Sequence, residues 1–265
     1  WGTRWEEVRR RGLQIVVALD TSNSMLAVDL KPSRLQQAKW GVRDLVARLK
    51  GDRIALLAFA GASFLQCPMT IDYAAFLMTL EDLHAGIIPR GGTSIAGALR
   101  GAMEAFDTQS AGDRVVILVT DGEDHEGDAA ALLAELKEKG IKVFAVGVGT
   151  PEGELIPAEK VPGGFLKDRQ GNVVKSALRE DALARLAVAT GGAYVRAAPG
   201  DFGLDLIYEQ GILPLRREAQ ESRMARMHED RGAWFIGLAL LLFAVEAAWP
   251  DAVRRPRRPN GEVTP

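Results

Sequence analysis

The sequence predicts an α/β fold, doubly wound, in which helices flank a mostly parallel central sheet. Short apolar runs rich in Val and Ile, typical of buried strands, alternate with amphipathic segments of about 10 to 15 residues, typical of helices. Loops rich in Gly, Ser, Thr and Asp follow several of the runs. Strands separated by helices of this length form right-handed βαβ units, which place helices on both faces of one parallel sheet.

The first predicted element is a buried parallel strand at Leu13–Leu19, an apolar run that only Gln14 interrupts. Ser33 is a suitable helix N-cap, because apolar residues spaced mostly by three and four follow it as far as Leu49. The next predicted elements are a strand at 54–59, an edge strand at 62–69 ended by Pro68, and helices at 73–83 and 95–106.

The second half opens with Val115–Val119, the run with the strongest strand pattern. The predicted elements after it are a helix at 129–139, a strand at 143–148, a helix at 180–190, a short strand at 193–196 and a closing helix at 204–212. Gly, Pro and charged residues interrupt the pattern between about 150 and 178, where two apolar runs flank Arg169-Gln170-Gly171. This interval is predicted to be a surface β-hairpin insertion.

Composition excludes several classes of protein. An apolar share of 47% and a charged share of 26% are close to globular averages, which excludes a wholly disordered or fibrous chain. The net charge is −2, with 33 basic against 35 acidic residues, so the charge balance provides no overall basic surface that would bind nucleic acid. The single cysteine, Cys67, cannot form an internal disulfide and is expected to be a small core residue.

Oxygen-bearing side chains occur in three loops that follow predicted strands or precede predicted helices. Loops leaving the carboxyl ends of parallel strands converge on one edge of the sheet, where ligands usually bind. A hard cation such as Mg²⁺ takes six oxygen ligands and is usually held by one or two carboxylates. The sequence therefore predicts a Mg²⁺ site, with Mn²⁺ or Ca²⁺ as alternative ions. Its candidate ligands are Asp20, Ser22, Ser24, Thr93 and Asp121.

Each of the three loops also has a purely structural interpretation. The side chains of the Asp20 loop could cap the helix that follows, and Thr93-Ser94 before Ile95 is a good N-cap sequence. Asp121-Gly122 is a common turn pair. It is the order and placement of the three loops together that favour a metal site.

The same motifs resemble the metal-ion-dependent adhesion site of von Willebrand factor A domains. The resemblance rests on Asp-Thr-Ser-Asn-Ser after an apolar strand, on Gly92-Thr93 and on Thr-Asp-Gly at 120–122, and it covers residues 13–196. In that family the corresponding residues surround a Mg²⁺ ion, some of them through water. The resemblance implies these roles for Asp20, Ser22, Ser24, Thr93 and Asp121.

Wider stretches resemble the bacterial aerotolerance-operon membrane proteins of Bat type, and the B-type member above all. They lie at 27–35, 51–54, 59–61, 147–153 and 164–168 and in the apolar segment after Arg231. This resemblance implies an inner-membrane protein with its main domain outside the lipid. It also implies partners: MoxR-type AAA+ ATPases, or sister membrane proteins that carry the same domain.

The predicted organisation is a polar segment at 1–12, a von Willebrand factor A-type domain at 13–212 and a charged stalk helix at 213–232. The seventeen residues of Ala233–Trp249 contain one charge, Glu246, and predict a transmembrane helix, because roughly 17–25 residues span a bilayer. A buried helix of the domain is the alternative. The closely spaced arginines of the basic, Pro-rich tail at 250–265 favour a cytoplasmic tail and a periplasmic main domain.

Three functions agree with these patterns. In the favoured one, the protein is not an enzyme and binds partner proteins, an acidic side chain of the partner completing the shell of the metal ion. The second is a Mg²⁺-dependent phosphotransfer hydrolase with Asp20 as nucleophile, although Ser22 stands where a second catalytic carboxylate would be expected. The third is a metal-free scaffold in which the five residues merely cap helices.

Overall fold

The computed structural model describes residues 12–107, 112–124, 129–158, 161, 163–168, 170–216 and 232–248. The chain divides into two compact units, Trp1–Gln220 and Glu221–Pro265. Nearly all of the predicted N-terminal polar segment, most of the predicted stalk and the basic tail lie outside the described residues.

A six-stranded sheet forms the centre of the first unit, in the order β3-β2-β1-β4-β5-β8. All neighbouring pairs are parallel except β2 with β3, which is antiparallel. The strands are β1 (Gln14–Asp20), β2 (Arg53–Phe59), β3 (Ser63–Thr70), β4 (Arg114–Thr120), β5 (Ile141–Gly147), β6 (Glu154–Leu155), β7 (Lys175–Ser176) and β8 (Tyr194–Arg196). β6 and β7 form a separate two-stranded antiparallel sheet.

Helices cover both faces of the six-stranded sheet, because side chains alternate between the faces along each strand. Ile15, Val17 and Leu19 of β1 pack in the cluster that contains the apolar residues of α1, α2 and α6, whereas Val16 and Ala18 pack with those of α3, α4 and α5. The helices are α1 (Arg34–Arg48), α2 (Tyr73–Asp82), α3 (Ile95–Ala105), α4 (Leu133–Glu138), α5 (Glu180–Ala189) and α6 (Leu204–Ile207).

The prediction of a doubly wound, mostly parallel sheet is confirmed, and three elements differ from it in detail. β3 continues through Pro68 to Thr70, because the outer side of an edge strand has no ladder that needs the missing N–H. The helix predicted at 129–139 starts as a 3₁₀ turn, Ala129–Leu132, before α4. The predicted closing helix is α6 followed by a π turn at Tyr208–Ile212.

The interval between β5 and α5 contains the pair β6 and β7 and single antiparallel bridges, among them Lys167↔Val173. Asp168 and Asn172 close its tip, since the Asp168 N–H donates to the Asn172 carbonyl at 2.8 Å. We call residues 150–178 the hairpin insertion. Most of its described side chains are at least partly exposed, and Ile156, Ser176 and Leu178 are buried.

The second unit contains one described helix, α7 (Gly232–Ala248), of 17 residues. Within the described part of the chain, no helix combines the length and the apolar character needed to cross a membrane. The structure therefore does not bear out the transmembrane helix predicted at 233–249.

Candidate functional site

The site lies where the strand order of the sheet reverses, between β1 and β4. β1 pairs with β2 on one side and with β4 on the other, so the loops after β1 and β4 leave the sheet in opposite directions and open a crevice. Asp20 ends β1, and its side chain is 0% exposed. Thr120 ends β4 and donates its hydroxyl hydrogen to Asp20 Oδ2 at 2.6 Å.

The loop after β1 turns back on Asp20. The N–H of Ser22 donates to Asp20 Oδ1 at 2.9 Å, and the hydroxyls of Ser22 and Ser24 share a hydrogen bond of 2.9 Å. Ser22 precedes the 3₁₀ turn Asn23–Leu26, but its side chain makes no capping hydrogen bond there. The two serine hydroxyls are therefore paired with each other beside the Asp20 carboxylate instead of capping the turn.

Thr93 is brought to the same edge by the backbone of its loop. It is 2% exposed, and the N–H of the next residue, Ser94, donates to the carbonyl of Ala60 at 2.8 Å. Ala60 directly follows β2, whose last residue, Phe59, is the register partner of Asp20. Ser94, not Thr93, caps α3, because its hydroxyl accepts the N–H of Gly97 at 3.2 Å. The hydroxyl of Thr93 has no part in that cap.

Asp121 follows β4 and is also 0% exposed. Its Oδ1 accepts the N–H of Glu123 at 3.2 Å, and its Oδ2 accepts both Arg34 Nη1 at 3.1 Å and the hydroxyl of Ser176 at 3.0 Å. Gly122 makes the turn with φ +76°, and a Cβ there would lie 2.5 Å from the carbonyl oxygen of Arg179. Only glycine fits this turn without strain.

The two carboxylates of the site differ in how their charges are balanced. Burial, with a smaller contribution from the nearby negative charge of Asp121, raises the pKa of Asp20 to about 7, although hydrogen bonds from Ser22 and Thr120 oppose the shift. Among the described residues, the ion pair at this edge is that of Asp121 with Arg34, and none is formed by Asp20. A bound cation would supply the positive counter-charge that the carboxylate of Asp20 lacks.

Sequence reasoning missed three residues that support the site: Asp29, Arg34 and Ser176. Arg34 is 0% exposed and joins Asp121 to Asp29, donating to the latter through Nε at 2.9 Å and Nη2 at 2.7 Å. Ser176 reaches Asp121 from the hairpin insertion, 55 positions along the chain. An arginine in the first turn of an amphipathic helix normally faces water, so the sequence contains no local signal for its burial.

The ligand types at this edge are hydroxyls and two carboxylates. Among the described residues, no group of three or more His, Cys, Asp and Glu side chains is arranged to hold a metal ion. Two carboxylates and three hydroxyl groups nevertheless match a small hard cation that retains several waters. The set lacks the nitrogen and sulfur ligands that zinc and copper sites most often contain.

A mainly apolar groove of about 1290 Å³ opens beside the site, between α4 and α5. It begins at Gly122 and Glu123, and its apolar lining includes Leu133, Leu186 and Val188. Val188 is 71% exposed. The groove thus places apolar surface next to the loop of Asp121.

A family model described as the von Willebrand factor type A domain matches residues 15–123. Two solved structures are similar over most of the chain. The conserved hypothetical protein BatB from Bacteroides thetaiotaomicron is 39% identical, with 78% of this chain and 100% of that chain covered and a TM-score of 0.74. An aerotolerance-related membrane protein from Bacteroides fragilis is 37% identical, with 77% and 100% covered and a TM-score of 0.72.

Curated relatives are more distant. A UPF0353 protein from Nocardia farcinica is 29% identical over 215 residues, which are 74% of this chain and 61% of that protein. A protein from Borreliella burgdorferi is 29% identical over 147 residues, which are 53% of this chain and 42% of that protein. The chain spans about half the length of the curated relatives it matches.

Proposed function

The chain belongs to the von Willebrand factor type A domain family, in its Bat-type branch, and on that premise we propose that it is a metal-dependent protein-binding module. Mg²⁺ is the proposed ion, with Mn²⁺ and Ca²⁺ as alternatives. The proposed ligands are Asp20, Ser22, Ser24, Thr93 and Asp121. The observation that carries the proposal is the hydrogen bond of Thr120 to Asp20 across the strand-order reversal, with Ser22, Ser24 and Asp121 buried on the loops that leave β1 and β4 there.

The charges of the site support a divalent cation there. Asp20 is a buried carboxylate without an ion-pair partner among the described residues, and an uncompensated buried charge is costly. When bound, the ion supplies a positive centre that can accept one further oxygen ligand. We propose that this ligand is the carboxylate of a Glu or Asp side chain from a partner protein.

We propose that the protein is not an enzyme. In the hydrolase alternative, Asp20 would be the nucleophile of an aspartyl-phosphate mechanism, which requires a second carboxylate beside it. The residue two positions later is Ser22, which cannot act as the second carboxylate of an aspartyl-phosphate mechanism. No observation at the site favours the hydrolase alternative over binding.

The partners we propose are a MoxR-type AAA+ ATPase and sister von Willebrand factor A proteins, as the Bat resemblance implies. We also propose that the protein is associated with the bacterial inner membrane, with the main domain on the periplasmic side. The support is that the relative from Bacteroides fragilis is described as a membrane protein and that Leu240, Leu241, Leu242 and Phe243 of α7 are exposed. Protease accessibility in intact cells and in spheroplasts tests the side.

Isothermal calorimetry with Mg²⁺ tests the metal site. We expect binding to the unsubstituted protein, loss of binding in Asp20→Ala, and unchanged binding in Asp44→Ala, a matched control at an exposed acid of α1. If millimolar Mg²⁺ produced neither heat nor thermal stabilisation, the metal-free scaffold would be the better description.

Pull-down from membranes, with and without chelator, tests the partner. We expect partners that are lost on chelation and in Asp20→Ala, since both remove the ion that the acidic side chain is proposed to meet. Phosphatase assays with Mg²⁺ test the alternative. Sustained turnover that Asp20→Asn abolishes would overturn the non-enzymatic proposal.

A further inference from the structure

The hairpin insertion is joined to the candidate metal site through one buried hydroxyl. Ser176 is 0% exposed, although the preceding residue, Lys175, is exposed. Its Oγ donates to Asp121 Oδ2 at 3.0 Å and accepts a hydrogen bond from Arg34 Nη1 at 2.7 Å. The hydroxyl therefore uses both its donor and its acceptor on charged groups, which form stronger hydrogen bonds than neutral ones.

Arg34 extends the connection to both ends of the insertion. Its Nη2 donates to the carbonyl oxygen of Ser176 at 3.2 Å and to Asp29 Oδ2 at 2.7 Å. Asp29 Oδ2 also accepts the N–H of Thr150, the first residue of the insertion, at 3.0 Å. The N–H of Leu178, its last residue, donates to the carbonyl of Thr150 at 2.9 Å. One charged network therefore holds the insertion at its base.

The network is closely packed. Gly149 has φ +114°, and a Cβ there would lie 2.6 Å from Arg34 Cζ, so the backbone rests directly against the guanidinium group. On the other side, the N–H of Ala177 donates to Glu123 Oε1 at 3.0 Å, two residues after Asp121. With the backbone fixed on both sides, a shift of the Asp121 carboxylate requires a shift of the insertion.

We infer that Ser176 is a positioning residue for the metal ion and that ion binding and the packing of the hairpin insertion are thermodynamically coupled. This inference rests on the proposed function. Arg34 and Ser176 both donate to Oδ2 of Asp121, whereas Oδ1 accepts one hydrogen bond, from the N–H of Glu123 at 3.2 Å, so these donors hold the carboxylate in one orientation and Oδ1 keeps a lone pair for the ion or its water. Groups that hold a metal-binding carboxylate typically change metal affinity about 10- to 100-fold when they are removed.

Coupling of this kind is reciprocal. If the packed insertion increases the affinity for the ion, the ion must stabilise the packed insertion by the same factor. The metal ion alone can therefore report on the insertion, without a partner protein. A partner that contacts the exposed side of the insertion would act on ion affinity through the same network.

Hydrogen exchange of the full chain with and without Mg²⁺, together with Mg²⁺ calorimetry, tests the inference. We expect saturating Mg²⁺ to slow amide exchange several-fold at 163–168 and 170–178 in the unsubstituted protein and in the matched control Lys175→Ala. In Ser176→Ala we expect about tenfold weaker Mg²⁺ binding and no metal-dependent slowing in the insertion. If Ser176 had only a structural role, Ser176→Ala would speed amide exchange in the insertion equally with and without Mg²⁺.

The outcomes separate this inference from the proposed function. Mg²⁺ binding without any effect on the insertion, or a Ser176→Ala variant with unchanged affinity and unchanged metal-dependent exchange, overturns the coupling and leaves the metal site in place. Absence of Mg²⁺ binding in the unsubstituted protein overturns both. If Ser176→Ala does not fold, Thr150→Val is used instead, because it removes only the 3.3 Å hydrogen bond from the Thr150 hydroxyl to Asp29. The coupling is overturned if this variant changes neither the Mg²⁺ affinity nor the metal-dependent exchange of the insertion.

Discussion

Thr120 donates its hydroxyl hydrogen to the Oδ2 atom of Asp20 at 2.6 Å, across the boundary at which the strand order of the sheet reverses. The hydroxyl also accepts the N–H of Gly122 at 3.1 Å, so one buried side chain ties the end of β1 to the loop after β4. The two halves of the candidate metal site are therefore held in register by the ends of adjacent strands.

Substitution Thr120→Val is predicted to weaken Mg²⁺ binding about tenfold, because it removes a hydrogen bond that orients a proposed ligand. It is also predicted to lower the free energy of unfolding by about 1–3 kcal/mol, since the N–H of Gly122 and an oxygen of Asp20 lose a buried partner. Calorimetry and urea unfolding measure the two effects. Thr79→Val, at a threonine that bonds within α2, is the control, and equal Mg²⁺ affinities in the two variants would contradict the prediction.

Substitution Arg34→Met is predicted to destabilise the protein by about 3–5 kcal/mol, because it leaves Asp29 and Asp121 buried without their counter-charge. Arg43→Met is the matched control on the same helix. Arg43 pairs with Glu81 at 3.2 Å, and both side chains are about half exposed, so its loss is expected to cost less than about 1 kcal/mol. Urea unfolding of both variants gives the comparison, and similar losses would argue against a structural role for Arg34.

Asp29 is predicted to make stability depend on pH in the acid range. Burial by itself would raise the pKa of Asp29, but the hydrogen bonds and charge of Arg34 outweigh it and lower the pKa below the ordinary 3.8. A lowered folded-state pKa stabilises the folded state above the unfolded-state value, and this stability is lost as the pH falls through the folded-state pKa.

The measurement compares urea unfolding of the unsubstituted protein and of Asp29→Asn between pH 7 and pH 2.5. We expect the unsubstituted protein to have the larger free energy of unfolding at neutral pH. The difference in this free energy between the two proteins is expected to narrow as the pH falls below about 4. A difference that stays constant over this range would show that the charge of Asp29 is not its cause.

Substitution Gly122→Ala is predicted to destabilise the protein by roughly 1–2 kcal/mol from the positive φ alone, with a further cost from the contact with Arg179. The shift of the adjacent Asp121 is expected to weaken Mg²⁺ binding as well. Gly91→Ala is the control, because a Cβ at Gly91 would meet no atom within 4 Å and its φ is not positive. Thermal unfolding measures the stability of the two variants, and calorimetry measures their Mg²⁺ affinity. Equal stabilities of Gly122→Ala and Gly91→Ala would contradict the strain argument.

Local pattern was sufficient to predict most of the fold. Continuous apolar runs predicted β1, β2, β4 and β5, and an N-cap serine followed by helical spacing predicted α1 with its start at Arg34. These signals come from residues close together in the chain, which share one strand or one helix face. The strand was correctly predicted to lie at an edge of the sheet, but Pro68 was wrongly interpreted as its end, since an edge strand tolerates the missing N–H and continues to Thr70.

The candidate site was predictable in part for the same reason. The five proposed ligands stand in loops after strands or before helices, and the rule that such loops share one edge of a parallel sheet suffices to group them. The sequence could not distinguish Thr93 from Ser94 as the helix cap. The backbone geometry does so, since the hydroxyl of Ser94 accepts the N–H of Gly97.

By itself, then, the sequence determined the order of strands and helices and the oxygen-rich loops that carry Asp20, Thr93 and Asp121. Tertiary structure alone decided what surrounds those loops: the buried guanidinium of Arg34 and the hydroxyl of Ser176 both meet Asp121, from 87 and 55 positions away along the chain. The physical reason is that helix and strand periodicity depend on near neighbours. The burial of a charge depends on a partner that folding brings in from a distant part of the chain.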